Sequence, residues 1–109
     1  MKEIHDELIK FQKDRDWKKF HTPENLAKSI SIEAAELLEH FQWQNEYDEY
    51  EVAEELADVL IYCIYMADAM DFDIKKIILN KMEKKASKYT VDKAKGNAKK
   101  YKEFEHDSL

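Results

Sequence analysis

The sequence predicts an all-α protein built from four helices, and two features of its composition lead to this fold class. The 109 residues include a single Gly and a single Pro, too few to supply the turns of a β-sheet protein. Charged residues make up 39% of the chain and hydrophobic residues 44%, a mixture typical of amphipathic helices with short connections. A single domain over residues 1–109 is expected, because two separate cores would each be very small.

Hydrophobic residues at helical spacing place the four helices, which we expect at about 2–14, 23–43, 50–70 and 74–89. Thr22 suits the cap of the second helix, and Pro23 suits its first position, where no amide donor is needed. Asp71 or Asp73 would cap the fourth helix. Residues 90–109 have little apolar content and are expected to form an extended or partly ordered tail.

Cysteine content and hydropathy exclude several classes of protein. Cys63 is the only cysteine, so the chain cannot build an internal disulfide or a cysteine-based metal site. We expect Cys63 to be a small core residue, because its neighbours are apolar. The apolar run 59–67 is much shorter than the roughly 20 residues of a membrane helix. A soluble cytoplasmic protein without a membrane partner is expected.

Charge is distributed unevenly along the chain, although the net charge is only −6. Residues 29–73 contain thirteen acidic residues and no Lys or Arg, whereas residues 74–109 contain eleven lysines and five acidic residues. The acidic segment repels nucleic acid unless divalent cations intervene, and the Lys-rich segment attracts phosphate. The same pattern also arises when acidic and basic helix surfaces simply solubilise a fold.

The acidic residues of the second and third helices are sorted onto particular faces. At 100° per residue, Glu33, Glu36 and His40 share one flank of the apolar stripe of the second helix. The third helix carries a polar face, made by Glu51, Glu55, Asp58 and Tyr62. Its predicted core side consists of Val52, Leu56, Val59, Leu60, Cys63 and Ala67.

Asp58 lies where the third helix becomes apolar on all sides, which predicts contacts on several faces. A carboxylate in such a place needs a compensating cation, and residues 29–73 offer no basic side chain. A divalent metal would compensate it, and oxygen ligands suit Mg²⁺, or Mn²⁺ as a substitute. The candidate ligands are Glu33, Glu36, Glu55 and Asp58.

Other interpretations remain open at this point. Glu-x-x-Glu pairs are common on exposed helix surfaces, and His21 and His40 fit surface or loop positions better than an oxygen-rich metal site. Trp17 and Trp43 are either core anchors or platforms for a base. A di-iron bundle requires Glu-x-x-His motifs on two helices, and the chain has none at the right place. A non-catalytic helical adaptor, binding nucleic acid or an acidic partner through its lysines, would not explain the paired acidic faces.

Three segments carry a resemblance to a known family: "RDWKKFHTPENLAKSISIEAAELLEHFQW", "EELADVLIYCIYMAD" and "NKMEKKASKYTVDKAKGNAKKY". Together they resemble the MazG-like all-α nucleoside triphosphate pyrophosphohydrolases, in particular the dCTP pyrophosphatase-like branch, over about residues 11–101. The resemblance implies a four-helix-bundle subunit in a dimer or tetramer, with sites between subunits. It also implies Mg²⁺ ligation by the four carboxylates, and hydrolysis of a nucleoside triphosphate such as dCTP to the monophosphate and pyrophosphate. Either Glu36 or Glu55 is our candidate for the group that deprotonates the attacking water.

The resemblance also assigns substrate contacts. Trp17, Trp43 and Tyr62 would form the base pocket, and Lys81 and Tyr89 would contact phosphate or close the site. Lys85 stands where relatives often carry Asn and is a further candidate for substrate binding. Two more positions depart from the pattern: Thr90 replaces a common Pro, and Leu8 aligns with a His that some cytidine-preferring relatives place near the base. Base preference is therefore left open.

Overall fold

The computed structural model describes residues 1–43 and 46–96, and all regular secondary structure in these ranges is helical, as the sequence predicts. The α-helices are α1 (Lys2–Asp14), α2 (Pro23–Gln42), α3 (Glu49–Ala69), α4 (Ile74–Lys88) and α5 (Val91–Ala94), with a 3₁₀ turn at Lys18–Phe20 between α1 and α2. The bounds of the four long helices agree with the predicted ones to within one residue.

Local chemistry explains where α2 and α3 begin. The Thr22 hydroxyl accepts a hydrogen bond from the amide of Asn25 at 3.2 Å, and Pro23 occupies the first turn, which confirms the predicted start of α2. Asp48 caps α3, because its Oδ1 atom accepts from the amide of Tyr50 at 2.9 Å and from that of Glu51 at 3.4 Å. Asp48 falls between the predicted second and third helices, and its capping role was not predicted.

Helices α1 to α3 belong to one compact unit, Met1–Asp73. In this unit α2 packs along α3, and α1 packs against α3. The buried apolar side chains are Leu26, Ile64, Tyr65 and Ala67. Leu26 comes from α2 and the other three from the second half of α3, so the core lies toward that end of the helix pair.

The predicted core side of α3 is only partly buried. Leu56 and Leu60 keep 45% and 53% of their surface exposed, and Cys63 is also exposed, so its assignment to the core was wrong within this unit. These three residues follow one another at a spacing of about one turn and form a single stripe, which we call the α3 stripe. In this unit α3 packs against α1 and α2, and neither of them buries this stripe.

The second unit comprises Ile74–Leu109, and its described part contains α4 and α5. Residues 91–94 form a short helix that the sequence did not predict, and the extended or partly ordered tail over residues 90–109 stays a prediction. The part of this tail from residue 97 onward lies outside the described residues, as do residues 44 and 45 between the second and third helices. The single domain over residues 1–109 stays a prediction. In the part of the chain that the structure describes, no helix is long and apolar enough to cross a membrane.

Candidate metal and base-binding site

Packing of α2 against α3 brings the predicted carboxylates together. Glu33 on α2 and Glu55 and Asp58 on α3 each offer a carboxylate oxygen, and these three atoms lie within 4.8 Å of one another. Glu36, one turn after Glu33, is within hydrogen-bonding reach of the Glu33 carboxyl. We call these four residues the carboxylate cluster.

The environment of the carboxylate cluster disfavours negative charge. Burial, followed by the hydrogen bond and the negative charge of Glu36, raises the pKa of Glu33 to about 7; Glu55 and Asp58 act in the same direction. The Oε2 atoms of Glu33 and Glu55 are both buried, and neither has a hydrogen-bond partner among the described residues. Such orphaned oxygen atoms are costly unless a cation compensates them.

The donor set of the carboxylate cluster fits a metal ion. All its ligand atoms are carboxylate oxygens, which suit a hard divalent cation and offer nothing to a thiophilic metal. A cation there would satisfy both orphaned oxygen atoms and screen the mutual repulsion of the acidic groups. The acidic cluster can therefore hold a divalent metal ion.

A polar cavity of about 360 Å³ adjoins the carboxylate cluster, and Glu36 and Glu55 belong to both. Its walls are completed by Glu39, His40, Tyr47, Asp48 and Glu51. The Nδ1 atom of His40 lies 3.8 Å from Glu51 Oε2. Glu39 and Asp48 were not among the site residues predicted from the sequence.

Asp58 also lines a cavity of about 220 Å³ with largely aromatic walls. We call it the aromatic cavity; its lining residues are Leu8, Phe11, Trp17, His21, Asp58, Ile61, Tyr62 and Tyr65. Two of the predicted base-pocket residues, Trp17 and Tyr62, therefore meet in one place. Trp43, the third, is 84% exposed at the C-terminal end of α2 and is not among these lining residues.

The chain reversal after α1 positions Trp17. Asp16 adopts a left-handed conformation with φ of 54°, and the amide of Trp17 then donates to the carbonyl of Gln12 at 2.9 Å. The indole consequently makes an edge contact with Phe11, with ring centroids 5.6 Å apart. Sequence reasoning missed Phe11, Tyr65 and His21; the one-turn spacing of Tyr65 from Tyr62 was an available signal for Tyr65.

The remaining predicted substrate contacts belong to the second unit. Lys81 and Lys85 lie on α4, and Tyr89 directly follows it, with its amide donating to the Lys85 carbonyl at 2.7 Å. Their part in substrate binding stays a prediction.

The fold and the carboxylate cluster together define an all-helical protein with a candidate divalent-cation site between two helices. Residues 28–104 match the family model described as MazG-like, and the chain belongs to this MazG-like family. Among curated relatives, dCTP pyrophosphatase 1 of Rattus norvegicus is 33% identical and that of Homo sapiens 32% identical, each over 91% of this chain. The chain spans 64% of the length of these relatives.

A solved structure shows a similar fold. The crystal structure of a pyrophosphatase from Archaeoglobus fulgidus DSM 4304 matches with a TM-score of 0.74 and 46% sequence identity, and the match covers 83% of this chain and 92% of that one. The resemblance noted from the motifs, to the dCTP pyrophosphatase-like branch of the family, agrees with these relatives.

Proposed function

We propose that the protein hydrolyses a nucleoside triphosphate, of the dCTP type, to the nucleoside monophosphate and pyrophosphate. The observation that carries this proposal is the position of Asp58, which belongs both to the carboxylate cluster and to the wall of the aromatic cavity. A nucleotide with its base in the aromatic cavity would therefore present its phosphates to the carboxylates. The names of the relatives, dCTP pyrophosphatase and pyrophosphatase, support the same reaction.

Glu33, Glu36, Glu55 and Asp58 would hold Mg²⁺, with Mn²⁺ as a substitute. When bound, the cation supplies positive charge that offsets the charge of the triphosphate and of the carboxylates. The chain's own residues orient the substrate: aromatic rings hold the base, and the carboxylate cluster sets where the α-phosphate lies relative to water.

In the proposed reaction, the oxygen of a water molecule bonds to the α-phosphorus and the bond from that phosphorus to the bridging oxygen breaks. Pyrophosphate leaves with the bridging oxygen, and a carboxylate takes the proton of the water. Glu36 and Glu55 are our candidates for this base. Both line the polar cavity, from which water can reach the carboxylate cluster.

The active form is proposed to be a dimer or tetramer. The α3 stripe exposes apolar side chains at one-turn spacing, a surface that a second copy would bury. Trp43 is exposed and does not line the aromatic cavity of its own chain. In an oligomer it could instead contact a base bound in the aromatic cavity of a neighbouring subunit. A cytoplasmic location would place the enzyme with its nucleotide substrate.

Product analysis tests this function. The purified protein is incubated with Mg²⁺ and each canonical or modified nucleoside triphosphate, and the products are separated. We expect monophosphate with pyrophosphate; diphosphate with phosphate would contradict the proposed bond cleavage. No cleavage of any nucleotide, together with a thermal stability indifferent to Mg²⁺, would favour the adaptor alternative.

Two variants connect the activity to the site. Asp58→Asn removes a charge at nearly constant volume and is expected to lower turnover by at least about a hundredfold without loss of helical content. Glu54→Gln makes the equivalent change at an exposed neighbouring position of α3 outside the carboxylate cluster, and is expected to leave turnover unchanged.

A further inference from the structure

His21, which lines the aromatic cavity, belongs to a hydrogen-bonded network of three side chains. Gln12 on α1 is only 2% exposed, and its Nε2 atom donates to Asp68 Oδ2 on α3 at 3.3 Å. Its Oε1 atom lies 2.7 Å from Nδ1 of His21, in the connection between α1 and α2. None of these residues belongs to the carboxylate cluster, and the mechanism above does not use them.

The donors and acceptors of this hydrogen-bonded network determine the tautomer of His21. A carboxylate only accepts hydrogen bonds, so Asp68 requires the amide nitrogen of Gln12 to face it. The Gln12 oxygen then faces His21, and because this oxygen can only accept, Nδ1 must carry the proton. In the neutral ring, Nε2 is consequently an acceptor.

Packing holds the ring neutral and in place. Burial lowers the pKa of His21 below its usual value, which favours the neutral imidazole. The ring lies against Tyr65 with centroids 4.7 Å apart and an interplanar angle of 31°, and Trp17 contacts it edge-on at 6.4 Å. Among the described residues, Nε2 has no hydrogen-bond partner.

His21 lines two cavities. A smaller one, of about 130 Å³, contains Gln12 and Asp68 in its walls, so the Nδ1 edge of His21 is engaged on that side. The aromatic cavity is lined by His21 but not by Gln12 or Asp68. Since Nδ1 and Nε2 lie on well-separated edges of the ring, the free acceptor is directed away from Gln12.

We propose that His21 Nε2 faces the aromatic cavity and accepts a hydrogen bond from the amino group of the base, selecting 4-aminopyrimidines over 4-oxopyrimidines. Cytosine offers an N–H donor at this position, whereas uracil and thymine offer an oxygen that would oppose the acceptor. The aromatic cavity, of about 220 Å³, has room for a single-ring base. Gln12 and Asp68 are positioning residues, which act by setting the tautomer of His21.

This inference rests on the proposed nucleotide substrate, so its first test is metal-free binding, which requires no turnover. Binding of deoxycytidine and deoxyuridine monophosphates is measured by titration calorimetry in the presence of EDTA. We expect the wild-type protein to prefer the cytosine nucleotide by on the order of tenfold, the effect of one mismatched buried hydrogen bond. Equal binding of the two would overturn the inference, even if triphosphates are hydrolysed as proposed.

His21→Phe keeps a ring against Tyr65 but removes the acceptor, and is expected to bring the ratio of the two affinities close to one. His21→Gln is the second variant if the first does not fold, because its amide can present either a donor or an acceptor, and the same result is expected. Retention of the wild-type ratio in a folded variant would contradict the assignment.

The positioning role has a spectroscopic test. Long-range ¹H–¹⁵N spectra of the imidazoles should show His21 with its proton on Nδ1, and a proton on Nε2 would overturn the proposal. In Asp68→Asn, the new side chain can donate as well as accept, so it no longer fixes the orientation of the Gln12 amide. Both tautomers of His21 should then be populated, and the affinity ratio should fall. His5→Gln is the matched control, because His5 Nε2 lies 3.9 Å from Asp68 Oδ1, the oxygen that does not accept from Gln12. This variant should change neither the tautomer of His21 nor the affinity ratio.

Failure of the two proposals can be told apart. If no triphosphate is hydrolysed but cytosine nucleotides bind with the expected preference, the pyrophosphatase proposal fails and the assignment of His21 stands. If triphosphates are hydrolysed at equal rates for cytosine and uracil and the affinities are also equal, the assignment of His21 fails and the activity stands.

Discussion

Glu33 and Glu55 lie on different helices, and each buries its Oε2 atom without a hydrogen-bond partner among the described residues. Such an arrangement is unfavourable for the metal-free protein, because two acidic groups lose water and face further acids. Mutations that remove the charge should therefore stabilise the metal-free fold while removing the site. The first two predictions follow from this relationship.

Metal-free stability is expected to fall as the pH rises from about 5 to about 7.5. The pKa of Glu33 is raised from 4.5 to about 7 in the folded protein, so between these values the folded state binds more protons than the unfolded chain. Stability then decreases with increasing pH in this window. Melting temperatures in EDTA across the window measure the effect.

Glu33→Gln should flatten this decrease and raise the melting temperature at pH 7.5, whereas Glu54→Gln should retain the slope of the wild-type protein. An unchanged slope in Glu33→Gln would show that Glu33 is not the group responsible.

Addition of Mg²⁺ is expected to stabilise the wild-type protein through mass action. At a concentration one hundred times its Kd, a ligand that binds only the folded state contributes about 2.7 kcal/mol, which is roughly 10 °C or more in Tm for a protein of this size. Glu33→Gln and Asp58→Asn should lose most of this shift, and Glu54→Gln should keep it. A full Mg²⁺ shift in both cluster variants would place the cation elsewhere.

Trp17 is expected to stack on the base of the nucleotide. Its position in the aromatic cavity predicts that nucleotide binding alters its fluorescence and that Trp17→Ala weakens binding by about tenfold or more, the usual effect of one lost stacking contact. Trp17→Phe retains a smaller ring and should recover part of the affinity. If the alanine and phenylalanine variants bind equally well, stacking on this side chain does not contribute.

Charge in the α3 stripe is expected to dissociate the oligomer. Leu60→Glu places a carboxylate in the middle of the stripe, where a second copy would have to bury it. Light scattering after gel filtration should show a dimer or tetramer for the wild-type protein and a smaller species for the variant. Phe20→Glu changes a residue that is also exposed but lies in the 3₁₀ turn, and should leave the mass unchanged. A monomeric wild-type protein would refute the assembly.

Some features of the site were readable from the sequence and others were not. Glu33 and Glu36 are one turn apart, as are Glu55 and Asp58, so each pair had to share a helix face once the helices formed. His21 gave no such signal: it lies outside the regular helices, and its hydrogen bond to Gln12 joins residues whose spacing follows no helical period.

Helical periodicity also could not predict which apolar residues are buried. Periodicity identifies the apolar side of α3 but not which neighbour covers it, and so Leu56, Leu60 and Cys63 were assigned to a core that this unit does not provide. The short helix Val91–Ala94 was missed because four residues are too few for a periodic signal.

By itself the sequence determined the helices and the face of each helix that carries the acids, because periodicity and capping depend on residues close together in the chain. Only the tertiary structure decided that oxygen atoms from α2 and α3 approach within 4.8 Å, and that Trp17 rather than Trp43 lines the aromatic cavity. These distances depend on how side chains of separate helices pack, and packing is settled by the contacts of the whole unit rather than by any local pattern.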